Sequence, residues 1–297
     1  MDALVAQEVD GRWEVVVVLD GIEDASEAVV ESYEQSLPLR TVRFTENRGR
    51  PAALNAGFAV ARGGVLIRCD DDLRPRADFV QAHVNCHTAD DLAVIGLYRN
   101  RYGPTPYARA WGETANLRDN ALAYRSPPER RWLHWAGNCS VRRSLWENVG
   151  PYDEAFREYG WEDIEWGYRA WMAGASFVID PALETDHLAA ADSTSARAGR
   201  AFLSKRAQVR FEAKHPTAPL AEPAPGASLK ARVWGGLVAA GARGPASEVY
   251  SRRGHMVDKL GTVLPSQVLH RVISWTIESA GVAGYADGHR HRPASES

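Results

Sequence analysis

Glu162, Asp163 and Glu165 share a ten-residue stretch, 160–169, with Trp161, Trp166 and Arg169. Ile164, Tyr168, Trp171 and Met172 recur at i, i+4, i+7 and i+8, which predicts a helix with one apolar face and with Glu162 and Asp163 at its start. The dipole and free amides of a helix N-terminus favour ionised carboxylates, and Gly174 supplies a stop at the other end. A carboxylate kept ionised between indole walls has the chemistry of a base for a substrate hydroxyl. Taken alone, the same pattern also describes an acidic helix cap, so the rest of the chain must decide.

A second acidic group, Asp70-Asp71-Asp72, follows directly on the apolar run 65–69. Carboxylates fixed at the end of a strand can grip a divalent cation, which in turn can bridge the phosphates of a nucleotide; a run of Asp is equally the composition of a solvated turn. His187, in the segment 184–188, is a further candidate ligand. The segment 47–57, Asn-Arg-Gly-Arg-Pro-Ala-Ala-Leu-Asn-Ala-Gly, joins a glycine loop and Arg48 and Arg50 to a helix start. Backbone amides and guanidinium forks of that kind bind diphosphates. No GxGxxG, Walker loop, CxxC pair or GxSxG elbow occurs, which excludes dehydrogenase, P-loop and hydrolase chemistry.

The elements that must position these groups read as an alternating α/β chain. Strands are expected at 14–19, 39–44, 65–69, 92–98, 136–141 and 176–179, with helices at 23–35, 51–62, 77–89 and 143–149 between them. The run Val15-Val16-Val17-Val18 has the composition of a strand buried on both faces. Such alternation implies a mostly parallel sheet flanked by helices, with ligands at the carboxyl ends of the strands, where Asp20 and Asp70 to Asp72 fall. Residues 100–131, polar and holding Pro104, Pro106, Pro127 and Pro128, read as a long loop over a substrate. Beyond residue 190, helices are expected at 197–213, 246–260 and 265–280, with a Pro/Ala linker at 216–227 and a disordered tail after Gly284.

Composition separates the same two parts. Residues 1–191 carry 20 Lys+Arg against 30 Asp+Glu, while residues 192–297 carry 15 against 8, so a net of −10 adjoins a net of +7. The division predicts a catalytic domain over 1–190 and a basic helical extension over 191–297 that meets an anionic membrane face, an anionic acceptor or a second copy. The three cysteines, Cys69, Cys86 and Cys139, lack metal-like spacing and suit a reducing compartment. No run approaches the ~18 apolar residues of a membrane span, and the N-terminus lacks the pattern of a signal peptide. A cytoplasmic protein is expected, peripheral on the inner membrane face if the extension binds lipid, with no nucleic-acid partner.

In this order the segments 15–21, 47–57, 70–72, 136–154 and 161–163 resemble the GT-A glycosyltransferases of family 2, and the Trp161-Glu162-Asp163 segment resembles the galactosyltransferase C-terminal signature. The resemblance runs from Trp13 to about Leu188. It implies a Rossmann-like GT-A fold and a metal-dependent, inverting transfer of a sugar from a nucleoside-diphosphate donor, UDP-linked before GDP- or dTDP-linked, to an unknown acceptor: saccharide, lipid, peptide or small molecule. It also implies Asp20, Asn47, Arg50, Asp70, Asp71 and Asn138 on the nucleotide sugar, and Asp70, Asp72 and His187 on Mn²⁺ or Mg²⁺, with the register among the three consecutive Asp left open. Asp163 would be the general base, and Glu162 and Trp161 would meet the acceptor. The chain departs from the family in two places. Leu19 stands where the motif usually has its first Asp, and the family's first strand is expected to be missing, since residues 1–7 already read as the helix that follows it. That departure motivates an alternative, a degenerate GT-A domain that binds or scaffolds without catalysis.

Overall fold

The structure, a computed structural model, describes residues 1–21, 25–157, 159–220, 228–244 and 246–291. In chain order α1 (Asp2–Val5) precedes β1 (Val15–Asp20), α2 (Ser26–Ser32), β2 (Leu39–Phe44), α3 (Arg50–Val60), β3 (Val65–Cys69), β4 (Leu73–Arg74) and α4 (Phe79–Cys86). There follow β5 (Leu92–Ile95), β6 (Tyr98–Asn100), a π-helical turn (Ala108–Gly112) leading into α5 (Glu113–Tyr124), β7 (Asn138–Arg142), α6 (Arg143–Val149), α7 (Glu162–Met172), β8 (Ser176–Ile179) and β9 (Thr185–His187). The chain then runs through α8 (Thr194–Lys214), α9 (Leu229–Gly241), α10 (Ser247–Leu260) and α11 (Ser266–Arg290).

β1 pairs in parallel with β2, Val15 opposite Leu39 through Asp20 opposite Phe44. A four-stranded sheet has the order β3-β7-β5-β8, in which β5 and β8 are parallel and β7 is antiparallel to both neighbours. The short strands β4, β9 and β6 form a third sheet. The α/β alternation is therefore present, and the sheet is mixed where β7 enters. The valines of β1 are half-buried and only Leu19 is buried, against the expectation of a strand covered on both faces. The deepest positions lie instead on β5 and β7, where Ala93, Val94, Ile95, Cys139, Ser140 and Val141 are at most 1% exposed.

The chain divides into two compact units, one of Met1–Arg99, Leu122–Arg157 and Glu162–Leu188, the other of Asn100–Ala121, Glu158–Trp161 and Ala189–Ser297. The boundary expected at residue 190 is near the last of these breaks, but 100–121 belongs with the C-terminal helices. Much of the long loop expected over 100–131 is in fact helix. Tyr107, Trp111 and Ala115 recur at i, i+4 and i+8 and pack with Val257, Leu269, Ile273 and Ile277 in one core. The four prolines flank this helical run instead of interrupting it, as their missing amides require. A second core of Ala198, Phe202, Tyr250, Ala280 and Ala283 joins α8, α10 and α11.

Gly284 does not end α11. A methyl group there would lie 2.0 Å from the Phe202 carbonyl oxygen, so glycine is what lets α8 and α11 cross closely, and the helix continues to Arg290. The expected disordered tail is helical as far as that residue, while 292–297 lie outside the described residues, as do 221–227 of the expected linker and 22–24 at the expected start of α2. Helix α9 has no counterpart among the expected elements, because Gly235-Gly236 interrupts its pattern.

Beneath β7 lies a buried imidazole pair. His83 contacts Ser140 Oγ through Nδ1 (2.9 Å) and Asn138 Oδ1 through Nε2 (3.0 Å), and His87 Nε2 meets the same Ser140 Oγ at 2.8 Å. Burial, the largest cause, pushes each ring from 6.5 down to about 4. Both are thus neutral in the folded protein at neutral pH, whereas unfolded imidazoles take up protons near pH 6.5. The stability they confer is full above that pH and is lost as pH falls towards 4, His83 alone accounting for roughly 2 kcal/mol at pH 5. Urea midpoints at pH 7.5 and pH 5 should show this loss, and His83→Gln should flatten the profile; an unchanged profile would count against it.

Candidate active site

Helix α7 buries its acids more deeply than its expected apolar stripe. Glu162, Asp163 and Glu165 are buried together with Trp166, Gly167, Tyr168 and Ala170, while Met172 is 63% exposed and Ile164 and Trp171 are half-buried. Acids reach the interior only with compensating charge, and three arginines supply it. Glu165 accepts from Arg169 Nε at 3.0 Å with both oxygens, and Arg169 donates onward to the carbonyls of Val149 (2.8 Å) and Pro151 (2.7 Å). Trp166 Nε1 donates to the Gly150 carbonyl at 2.9 Å. These groups fasten the helix to the turn after α6 and leave Glu162 and Asp163 for the other side.

Glu162 accepts from Arg50 Nη1 at 2.7 Å. Asp163 Oδ1 accepts from Nη1 of Arg68, whose Nε and Nη2 hold the two oxygens of Asp70 at 2.7 and 3.2 Å. One guanidinium thus ties the start of α7 to the end of β3, bringing together carboxylates 93 positions apart. Arg68 is 4% exposed and paired across the ladder with Cys139. Burial lowers its affinity for its proton, and Asp163 and Asp70 more than restore it, so the side chain stays charged. The pKa of Asp163 is raised as well, which for an acid favours the neutral form: burial raises it most, the charge of Arg68 opposes, and Glu162 adds to the rise. The sequence reading missed Arg68, although a lone arginine inside Val-Leu-Ile-Arg-Cys was the available signal.

Asp70 and Asp72 are half-buried and Asp71 is exposed. Asp70 lies against Gly137, where a methyl group would stand 2.1 Å from Oδ2, and its amide donates to the Gly137 carbonyl at 3.0 Å. Asp72 faces His187 because β4 pairs with β9, Leu73 opposite His187. The His187 Nε2 to Asp72 Oδ2 distance is 3.1 Å, and this contact holds the Asp72 pKa below the ordinary carboxylate value. Among the described residues no group of three or more His, Cys, Asp or Glu gathers for a metal. The donor chemistry of Asp72 and His187 nonetheless fits a divalent cation that takes its remaining ligands from phosphate and water.

Asp20 braces the loop that opens α3. Its carboxylate accepts from the amides of Arg48 (2.6 Å) and Gly49 (2.9 Å), and its carbonyl accepts from Asn47 Nδ2 at 3.2 Å. Gly49 has φ of 92°, which favours glycine in this turn. Asn138 is fully buried in the imidazole network, with Nδ2 donating to Leu183 O (2.9 Å) and Thr185 Oγ1 (3.2 Å). Trp161 falls in the other unit, 6% exposed, its ring 5.1 Å from that of Phe211. Asp20, Asn47, Arg50, Asp70, Asp72, Glu162, Asp163 and His187 all belong to the first unit.

The first unit thus combines acidic residues at the ends of β1 and β3, a glycine-containing loop before α3 and a buried acid at the start of α7. Residues 1–150, which are 150 of 297, match the family model for glycosyl transferase family 2, and the chain belongs to that family. It is 27% identical over 218 residues to the uncharacterized glycosyltransferase YfnE of Bacillus subtilis, covering 58% of this chain and 56% of that one. It is 26% identical over 211 residues to a hyaluronan synthase of Pasteurella multocida, covering 59% and 21%. With a validoxylamine A glucosyltransferase of Streptomyces hygroscopicus it shares 28% identity over 194 residues, covering 56% and 46%. The matches span about half or less of the length of these relatives. The fold is that of the mannosyltransferase PcManGT from Pyrobaculum calidifontis, solved with GDP-Man and Mn²⁺: TM-score 0.59, 19% identity, 94% of this chain and 79% of that one. It is a GT-A fold with a helical C-terminal region.

Proposed function

We propose that the chain is a metal-dependent, inverting glycosyltransferase that uses a nucleoside-diphosphate sugar, UDP-linked before GDP- or dTDP-linked. The observation that carries this reading is the Arg68 bridge, which holds Asp163 and Asp70 on one guanidinium. A base for the acceptor and the start of a diphosphate motif thereby share one small region. Asp163 takes the proton of the acceptor nucleophile, whose freed electron pair forms the new bond to the anomeric carbon as the bond to the diphosphate oxygen breaks. Arg68 grips Asp163 through Oδ1, leaving Oδ2 to face the acceptor. Glu162, oriented by Arg50, is the acceptor contact. Asp20, which takes up the Arg48 and Gly49 amides, braces the loop that carries Asn47 and Arg50 towards the nucleotide.

Asp72 and His187 would hold Mn²⁺ or Mg²⁺, and such an ion supplies charge neutralisation of the departing diphosphate. That PcManGT was solved with GDP-Man and Mn²⁺ supports this reading. Calorimetry with UDP and with GDP, each with and without Mn²⁺, tests it. Metal-dependent binding of one nucleotide is expected, weakened about tenfold or more in Asp72→Asn and in His187→Ala. Binding indifferent to Mn²⁺ would remove the metal from the reading, and no binding with no turnover of any nucleotide sugar would leave a scaffolding domain.

A further inference from the structure

Helix α9 shows two faces of opposite character. Its inner face is fixed to α11: Trp234 Nε1 donates to Glu278 Oε2 at 2.7 Å, Trp275 Nε1 to the Leu237 carbonyl at 2.9 Å, and Ser279 Oγ to the Val238 carbonyl at 3.1 Å. Gly241 completes this contact, since a methyl group there would come within 2.4 Å of Ser279 Oγ. Leu229, Val233 and Leu237 stand on the outer face at i, i+4 and i+8, and they are 77%, 57% and 53% exposed. At ~100° per residue Ala240 falls on the same stripe, with Lys230 on one flank and Arg232 on the other. Both cations are exposed, and no acidic residue occurs in the helix.

An aliphatic stripe edged on both sides by cations matches a bilayer surface, whose acyl boundary takes the stripe and whose anionic headgroups take the charges. We propose that α9 is an interfacial helix that docks the chain on an anionic membrane surface. At 13 residues it is about 20 Å long, too short to span a bilayer and long enough to lie along one. The net charge of +7 over residues 192–297 has the complementary sign. A second copy fits less well. Stacking two such stripes face to face would bring cationic edges together, and three aliphatic side chains fall well short of the ~800 Å² per partner of a stable interface.

The test is cosedimentation of the full chain with phosphatidylcholine vesicles, with and without about 25% phosphatidylserine, in about 0.1 M and about 0.5 M salt. Binding to the anionic vesicles, weakened by salt and by omission of phosphatidylserine, is expected. Lys230→Gln with Arg232→Gln should lower it roughly 25-fold. Leu229→Ser, Val233→Ser and Leu237→Ser together should lower it at least about tenfold. All five positions face solvent, so unchanged circular dichroism melting should accompany both losses. Absence of binding to anionic vesicles, or binding that neither variant weakens, overturns the proposal. So does a dimer in sedimentation equilibrium that the triple variant dissolves, which would assign the stripe to a second copy.

Discussion

Asp163→Asn should lower kcat for sugar transfer by roughly 10²–10⁴-fold while nucleotide affinity stays within about twofold of the parent. Asparagine has the shape of aspartate, and its amide oxygen can still accept from Arg68, so the join between α7 and β3 persists while the capacity to take a proton is gone. The pH profile supplies a second readout. A base acts when ionised, so activity must fall as pH drops through the folded pKa of Asp163. Burial raises that pKa above the ordinary aspartate value, with Arg68 opposing. The acidic limb of kcat/KM should therefore lie above the range of a free aspartate and should vanish with the residual activity of Asp163→Asn. Single-turnover transfer and nucleotide calorimetry separate the two effects. Equal loss of transfer and of nucleotide binding would show that Asp163 holds the site together and would end its assignment as the base.

Local pattern located most of the elements but left the partners of the charged ones open. The β-branched and aliphatic runs at 39–44 and 65–69 form strands over those residues, because a short apolar run next to a turn has few other ways to be buried. Periodicity misassigned the faces of α7. Hydropathy places Met172 inside and Asp163 outside, and the long-range pairs of Glu162 with Arg50 and of Asp163 with Arg68 reverse the order, while Glu165 is held by Arg169 one turn along the same helix. No local rule reports an ion pair between residues 68 and 163. The same limit applies to 100–121, whose apolar residues find their core in α10 and α11 far along the chain. The consecutive Asp of 70–72 could not be ordered until β4 met β9 and turned Asp72 to His187. Asn138 was singled out by the order of motifs, yet both polar atoms of its amide engage the network beneath β7, which only the tertiary fold reveals.

Arg68→Leu should be the most destabilising single substitution in this region, by about 3–5 kcal/mol. Its guanidinium has a side-chain exposure of 3% and serves two carboxylates, of which Asp163 is itself only 11% exposed. Leucine would leave Asp163 buried and unpaired, and the protein would respond by protonating it, by admitting water or by opening the contact between β3 and α7. Asp70, at 28% exposure, retains more solvent and suffers less. Arg68→Lys keeps the charge but not the planar fork. An ammonium can approach Asp163 or clasp Asp70 but cannot hold Oδ1 and Oδ2 of Asp70 while also reaching Asp163, so an intermediate loss is expected. Urea unfolding midpoints rank the three proteins, and the double variant Arg68→Leu, Asp163→Leu tests the cause. Removing both charges should recover much of the stability lost with Arg68 alone, because the penalty comes from an orphaned carboxylate more than from a missing attraction. Activity should not return with it, since the proposed base is gone. Should Arg68→Leu unfold within about 0.5 kcal/mol of the parent, the guanidinium would be dispensable to the fold, and the join between Asp70 and Asp163 would have to rest on Arg50 and the backbone instead.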